Sequence, residues 1–186
     1  MANHVSTHIN FIMNEAAQAK LKELGEKANE GQQYNDGPFS AMLTDTQIED
    51  LGDAIDLMGA KWCYLEHCDE DSLSLVSAWS YPQDGIARLV DILLPFDSDL
   101  QMHVYYEDEM PNFFGAQKWI RDDIVDEEEW DWDELIAYTI ETYPELKDGL
   151  NDDGEWKTEE QRDFFQECMY DAMNDMQSEV FHEEEE

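Results

Sequence analysis

Apolar side chains near the start of the chain alternate with polar ones, as they do in a half-buried strand. The alternation covers residues 5–13, with one side formed by Val5, Thr7, Ile9, Phe11 and Met13. Short apolar segments separated by turn residues predict three more strands, at 62–67, 73–79 and 100–106. A further segment, 117–125, is expected to extend the same sheet.

Three segments instead place apolar residues three and four positions apart, which predicts helices. The first covers 14–28 and is capped by Asn14. The second begins at a capping box of Thr44 and Gln47, and the third covers 82–94. The resulting order, β-α-(α)-β-β-α-β, is the ferredoxin-like split βαβ arrangement. We therefore expect an α+β fold in which helices cover one face of an antiparallel sheet.

The last third of the chain is predicted to be mainly helical. One helix is expected over 130–143, and another follows a capping box of Thr158 and Gln161. The apolar face of this last helix comprises Phe164, Phe165, Cys168, Met169, Ala172, Met173, Met176 and Val180. Such a face must be buried against the rest of the chain or a second copy, so a monomer and a homodimer both stay open. We expect a ferredoxin-like domain over 1–121 and an acidic helical extension over 122–186 packed on it.

The charge of the chain excludes several functions. The 186 residues include 47 Asp and Glu but only 10 Lys and Arg, which gives a formal net charge of −37. Proteins bind phosphates and anionic membranes through Lys and Arg, so direct binding to nucleic acid or to a membrane is not expected. No apolar stretch approaches the ~20 residues of a membrane span, and residues 1–10 lack a secretory signal. We therefore expect a location in the cytoplasm of a host cell.

The acidic residues are concentrated after residue 121. Residues 1–121 contain 21 acids and 7 bases, whereas residues 122–186 contain 26 acids and 3 bases. Three blocks are the predicted partner-binding surface. The last helix repeats an acid every fourth residue, at Asp163, Glu167, Asp171, Asp175 and Glu179. The tract after residue 121 contains Asp122, Asp123, Asp126, Glu127, Glu128, Glu129, Asp131, Asp133 and Glu134, together with Trp130 and Trp132. The second helix adds Asp45, Glu49 and Asp53.

Rows of carboxylates at this spacing resemble the charge pattern of a nucleic acid. Acids four residues apart on a helix lie about 6 Å apart along its axis. Duplex DNA presents one phosphate per ~3.4 Å on each strand. Two or three such rows approach that charge density. Carboxylates also accept bidentate hydrogen bonds from arginine much as phosphates do. The two tryptophans among the acids are expected to be interface anchors.

Several aromatic and glycine motifs in the first 120 residues point to a known family. They are Gly59-Ala60-Lys61-Trp62, Ala78-Trp79-Ser80-Tyr81-Pro82, Tyr105-Tyr106-Glu107-Asp108-Glu109 and Phe113-Phe114-Gly115. In these motifs the chain resembles the YubB-like ferredoxin-like family, although Tyr81 stands where that family tends to have a proline. The resemblance implies a ferredoxin-like fold and a gene carried by a plasmid or phage. It implies no activity, and the acidic segment after Val125 is outside it.

No motif predicts catalysis or a cofactor. The chain lacks a Gly-x-Ser-x-Gly sequence, a P-loop and a dinucleotide fingerprint. Asn151, Asp153, Gly154 and Glu160 match part of a calcium-binding EF-hand loop, but Gly149 occupies its first ligand position. Cys63 and Cys68 are expected to be reduced and to point to opposite faces of a strand, which makes a metal site there improbable. We predict neither a metal nor a cofactor, and a protein that is not an enzyme.

These observations lead to one function and one alternative. The chain is expected to be a phage- or plasmid-borne DNA mimic that inhibits a basic, DNA-binding host defence protein, such as a CRISPR effector, a restriction enzyme or a related nuclease. The alternative is an acidic adaptor that binds a basic partner without displacing DNA. Two plainer explanations of the charge fit less well. A halophilic surface would spread its charge evenly, whereas here it is concentrated after Val125. Solubility alone needs a net charge with a magnitude of only about 2–8.

Overall fold

The structure is a computed structural model, and it describes residues 3–30, 37–45, 51–109, 112–149, 151 and 156–182. The strands are β1 (His4–Ile12), β2 (Gly37–Pro38), β3 (Lys61–Cys68), β4 (Ser72–Ala78), β5 (Gln101–Asp108), β6 (Phe113–Ile120) and β7 (Asp123–Asp131). The helices are α1 (Glu15–Ala28), α2 (Ser40–Leu43), α3 (Leu51–Met58), α4 (Gln83–Leu93), α5 (Trp132–Thr142) and α6 (Glu159–Phe181), with a 3₁₀ helix at Pro144–Gly149.

The seven strands form a single antiparallel sheet in the order β2-β3-β4-β1-β5-β6-β7. The predicted mixture of helices and an antiparallel sheet is therefore confirmed, as is the C-terminal helix. The alternation that predicted the first strand is also correct, because Val5, Thr7, Ile9 and Phe11 are all buried. Asn14 caps α1 as predicted, since its side chain accepts hydrogen bonds from the backbone N–H groups of Ala16 and Ala17.

One face of the sheet packs against α1 and α4 and forms the larger hydrophobic core. This core includes Ile9, Leu75 and Val104 from the sheet, with Leu21 and Leu89 from the two helices. The helices bury faces whose apolar residues recur at three- and four-residue spacing, so the period of the sequence places them against the strands.

The other face of the sheet is covered at the β5–β7 end by α5 and α6. Neighbouring residues of β6 point to opposite faces: Phe113 packs against the larger core, and Phe114 belongs to a second core. That second core contains the buried methionines of α6, which include Met169 and Met173. The predicted apolar face of α6 is thus buried within the chain. Phe164 is the exception: it is exposed, so its assignment to that face was wrong.

A turn at Arg121 and Asp122 corrects the prediction of a strand over 117–125. Arg121 has a φ of 61°, which reverses the chain between β6 and β7. The two strands then pair in an antiparallel hairpin from Phe113–Asp131 to Ile120–Asp123. The sheet therefore continues past residue 121, and the helix expected from residue 130 begins at Trp132.

A bulge in β3 corrects the expected placement of Cys63 and Cys68. The register of β3 against β4 shifts between Leu65 and His67, which inserts one extra residue. Cys68 therefore pairs with Leu73 and packs against the same core as Cys63. Burial raises the pKa of the Cys63 thiol, and burial with the nearby Asp69 raises that of Cys68 to about 11. Both thiols are protonated at neutral pH and behave as small apolar groups.

The two predicted capping boxes differ in how much of each the structure describes. Gln47, from the predicted capping box of the second helix, lies outside the described residues. Thr158 does cap α6, because its hydroxyl accepts a hydrogen bond from the backbone N–H of Gln161 at 3.2 Å. Among the helices that the structure describes, none is both long and apolar enough to cross a bilayer.

Candidate acidic interface

Strand β7 is an acidic strand at the edge of the sheet. It contains six acids in nine residues, and all six are exposed: Asp123, Asp126, Glu127, Glu128, Glu129 and Asp131. Successive residues of a strand rise by about 3.3 Å, so the four consecutive acids from Asp126 to Glu129 space their charges at close to the ~3.4 Å phosphate repeat of one DNA strand. They alternate between the two faces of the sheet, with Glu127 and Glu129 on the side of the larger core and Asp126 and Glu128 on the side of α5 and α6. None of the ion pairs in the described part of the chain involves a carboxylate of β7.

Three neighbouring carboxylates of β7 are held in place by hydrogen bonds. Glu127 accepts a bond from the Gln117 amide at 3.1 Å, and Glu128 accepts one from the Trp130 indole N–H at 2.7 Å. Glu129 accepts a bond from the Tyr106 hydroxyl at 2.7 Å. All three donors are neutral, so they orient the carboxylates without cancelling their charge. Side chains that are already ordered lose less conformational entropy when they bind another molecule.

The residues that follow β7 serve mainly to start α5. Asp131 and Glu134 form a capping box: the Asp131 carboxylate accepts from the Glu134 N–H, and the Glu134 carboxylate accepts from the Asp131 N–H. This Asp-x-x-Glu spacing is a sequence signal that would have given the correct start of the helix. Two of the predicted partner-binding acids thus have a structural role. Asp133, between them, is exposed in the first turn of the helix.

The two tryptophans of the acidic tract have different environments. Trp130 is half-buried, and its ring contacts Phe114 edge-on and lies 4.6 Å from Tyr138. It therefore joins β7 to α5 and is not available as an interface anchor. Trp132 is 37% exposed and meets Phe165 edge-on at 6.1 Å. Of the two, Trp132 is the one that is exposed to solvent.

The acid row of α6 is exposed along its whole length. The row comprises Asp163, Glu167, Asp171, Asp175 and Glu179. Each four-residue step also turns by about 40° around the helix axis, so the row winds around α6 by about 160°. Arg162 lies 3.1 Å from Asp163 and 3.3 Å from Glu159, and it is the one base of this helix. Helix α6 contacts β6, β7 and α5, so its row and the β7 acids share one end of the molecule.

The third predicted block lies elsewhere. Helix α3 contacts β3 and α4, at the end of the sheet opposite to β7. Asp53 is exposed there, while Asp45 forms a 2.6 Å ion pair with Lys27. The hydrogen bond and charge of Lys27 lower the pKa of Asp45. Glu49 is outside the described residues. The fold brings the β7 and α6 acids together and does not bring this block to them.

A pair of exposed tryptophans beside α3 is a surface feature that charge analysis overlooked. Trp62 is 48% exposed and Trp79 is 52% exposed, with ring centroids 6.2 Å apart. The Lys61 ammonium lies 4.3 Å from the Trp79 ring, a cation–π contact. Both tryptophans have positive φ, 49° and 69°, which is unusual for a bulky residue. The signal was present in the Lys61-Trp62 and Ala78-Trp79 motifs, but the sequence alone did not place them side by side.

The metal sites considered from the sequence lie only partly within the described residues. Among the residues that it describes, no three His, Cys, Asp or Glu side chains are arranged to hold a metal ion. Asp153 and Gly154 of the partial EF-hand match lie outside those residues, whereas Glu160 is exposed in the first turn of α6. His103 stacks on Phe181 at 4.4 Å, which fixes the end of α6 against β5.

Comparisons with known proteins give one distant structural likeness. No protein-family model matches the sequence, and no curated protein shows significant similarity to it. Among solved structures, the chain is similar to the protein api92 from Yersinia pseudotuberculosis, assigned to the family DUF1281. The identity is 17% and the TM-score is 0.29, over 50% of this chain and 34% of that protein. The chain thus spans about a third of the length of api92.

Proposed function

We propose that this protein is a DNA mimic that binds the DNA-binding surface of a basic host protein. The observation that carries the proposal is the run of four exposed, consecutive acids in edge strand β7, from Asp126 to Glu129. Their axial spacing of about 3.3 Å is close to the phosphate repeat of one DNA strand. A basic groove that accepts DNA would accept this edge in its place.

The net charge and the second acidic element support the same proposal. At −37, the charge is far larger than solubility requires, and most of it lies after residue 121. The row on α6 adds carboxylates at the same end of the molecule. Long-range attraction between this end and a basic groove would make association fast and strongly dependent on salt. The protein acts by occupying the groove and performs no catalysis.

We further propose that residues 1–120 form a YubB-like ferredoxin-like domain. The order of the four strands in the β1-α1-β3-β4-α4-β5 unit, β3-β4-β1-β5, supports this arrangement. A plasmid or phage setting follows from that membership. In such a setting, DNA-binding defence proteins of the host cytoplasm, including CRISPR effectors and restriction enzymes, are the natural targets.

A capture experiment with matched variants tests the function. The immobilised protein is exposed to a bacterial lysate, washed at moderate salt, and eluted with duplex DNA. In the test variant, Asp126→Asn is combined with Glu127→Gln, Glu128→Gln and Glu129→Gln, which removes four charges while keeping side-chain shape. The control removes four exposed charges outside the predicted partner-binding surface, through Glu26→Gln, Asp56→Asn, Glu66→Gln and Asp91→Asn.

A DNA mimic should capture a DNA-binding protein that duplex DNA releases, and the β7 variant should capture at least tenfold less of it. The control should bind as the unmodified protein does. Equal loss in both variants would mean that total charge matters and not the β7 edge. A partner that DNA does not release would refute mimicry and establish the adaptor. A variant with Asp163, Glu167, Asp171 and Asp175 all changed to Lys tests α6 in the same way, and it should also lose the partner.

A further inference from the structure

A cavity of about 430 Å³ lies between α6, the start of α5 and the end of β5. Its size falls within the ~300–1,000 Å³ range of small-molecule sites. Its walls combine two kinds of side chain. Aromatic rings come from Trp132, Trp156, Phe165 and Tyr170, and carboxylates come from the end of β5. We propose that this cavity binds the guanidinium group of an arginine side chain on the partner, an inference that rests on the proposed function.

The aromatic side of the cavity is suited to a flat cation. Phe165 is buried, and the Trp156 ring lies 4.7 Å from it. Trp132 meets the same Phe165 edge-on, and Tyr170 is 58% exposed. Aromatic faces attract cations, and tryptophan does so most strongly. A guanidinium group also stacks on such faces, which an ammonium group does less well.

The carboxylate side supplies the charge that a guanidinium group needs. Glu107, Asp108 and Glu109 all line the cavity, and because neighbouring strand residues point to opposite faces, the Glu107 carboxylate is the one on the same side as Tyr105 of the second core. Glu107 accepts one hydrogen bond there, from the Tyr105 hydroxyl at 2.6 Å. A carboxylate has about four lone-pair sites, so Glu107 retains room for both N–H groups of a bidentate guanidinium. Asp108 points the other way: it is only 5% exposed, and its carboxylate accepts hydrogen bonds from the Asn3 and Asn112 amides.

Arg162 also lines the cavity, but it does not make the cavity an anion-binding site. Its guanidinium is already paired with Glu159 and Asp163. These two carboxylates outweigh its single charge, and Glu107 adds a third carboxylate, so the site stays negative. The cavity also lies beside the first turns of α6, where the acid row begins. An arginine inserted here would anchor the end of a basic groove whose remaining charges face the α6 row.

The test uses the isolated protein and a small probe, so it does not depend on the partner. N-acetyl-arginine amide is titrated while the six tryptophan indole N–H signals are followed by two-dimensional ¹⁵N NMR. The matched neutral probe is N-acetyl-citrulline amide, which has nearly the same shape. We expect the Trp132 and Trp156 signals to shift and saturate with the arginine probe, and at least tenfold weaker binding of the citrulline probe. The Trp62 and Trp79 signals, at the far end of the sheet, should not move.

Two variants separate charge from fold. Glu107→Gln keeps an acceptor for the Tyr105 hydroxyl and should weaken binding of the arginine probe at least tenfold. Glu26→Gln, on the solvent side of α1, should leave it unchanged. Equal binding of both probes, or equal shifts at Trp62, would overturn the proposal, and so would the absence of a saturable shift. If the probe binds but DNA does not release the captured partner, the cavity proposal is supported and the DNA-mimic proposal is refuted. If DNA releases the partner but the probe does not bind, the DNA-mimic proposal is supported and the cavity proposal is refuted.

Discussion

Gly115 lies where β6 and Tyr106 come closer together than a side chain allows. A Cβ atom at position 115 would lie 2.5 Å from the Tyr106 Cζ and Oη atoms, and 3.0 Å from the Glu128 carbonyl oxygen. Tyr106 is 2% exposed and stacks on Tyr81 at 3.9 Å, so its ring has little room to move. The same hydroxyl donates to Glu129 in β7. Gly115→Ala should therefore strain the contact that ties the acidic edge to the core.

The expected cost follows from these contacts. Overpacking a core costs about 1–3 kcal/mol, and displacing the partly buried Tyr106–Glu129 hydrogen bond adds roughly 1 kcal/mol. Gly115→Ala should therefore lower the free energy of unfolding by about 3 kcal/mol. In a Tyr106→Leu background the ring is absent, and the same change should cost less than about 0.5 kcal/mol, because alanine is better than glycine within a strand.

A double-mutant cycle measures the coupling between positions 106 and 115 directly. It compares the unmodified protein, Gly115→Ala, Tyr106→Leu and the double variant by urea unfolding, followed by tryptophan fluorescence at 0.15 M NaCl. A coupling of about 3 kcal/mol between positions 106 and 115 would follow if the ring is the obstacle. If Gly115→Ala costs the same in both backgrounds, the Glu128 carbonyl is the obstacle and the argument from Tyr106 is refuted. The Gly115→Ala protein should also bind its partner less well if β7 shifts with the ring.

Two further predictions concern single buried hydroxyls. Burial and the hydrogen bond to Glu129 raise the pKa of Tyr106 above the ~10 of an unfolded tyrosine, so its contribution to stability is complete below pH 10 and is lost above it. Between pH 9 and pH 11 the free energy of unfolding should therefore fall by about 1.4 kcal/mol less in Tyr106→Phe than in the unmodified protein, and equal falls in urea unfolding would contradict this. Thr7 is fully buried, and its hydroxyl has no hydrogen-bond partner among the residues that the structure describes. Thr7→Val should raise the free energy of unfolding by about 1–2 kcal/mol. Ser77→Ala should lower it, because the Ser77 hydroxyl donates to the Ser80 carbonyl at 2.6 Å. A loss of stability in Thr7→Val would show that the Thr7 hydroxyl does have a hydrogen-bond partner.

Hydrophobic periodicity predicted the central strands and helices α1, α4 and α6, because these elements have one face in a core and one in water, but it did not predict α2. Strand β1 and helix α4 were predicted to within about one residue for this reason. Strand β7 was only partly predicted, since an edge strand exposed on both faces has no alternation to detect. Its acids also have low strand propensity. What holds β7 in the sheet is pairing with β6, a contact between segments that local pattern cannot show.

The site was predictable in content but not in arrangement. Charge counting found the acidic tract and the α6 row, both of which are exposed. It could not show that Asp131 and Glu134 cap a helix, or that Trp130 packs inward while Trp132 faces out. Nor could it separate the Asp45 and Asp53 block from the other two, because distance across a sheet depends on strand order. The cavity behind Glu107 joins residues more than 60 positions apart in the sequence and had no local signal.

The unpaired edge of β7 has a consequence for how copies of this protein behave toward one another. An open strand edge is a template on which another strand can add, and repulsion between carboxylates is what prevents it here. The sequence pI is about 4.1, so the repulsion disappears as the solution approaches that pH. Ile124, Val125 and Trp130 then remain on an edge without net charge. Acidification should therefore convert the same surface from a barrier into a polymerisation site, and the protein should form β-rich aggregates near its isoelectric point that dissolve again at neutral pH.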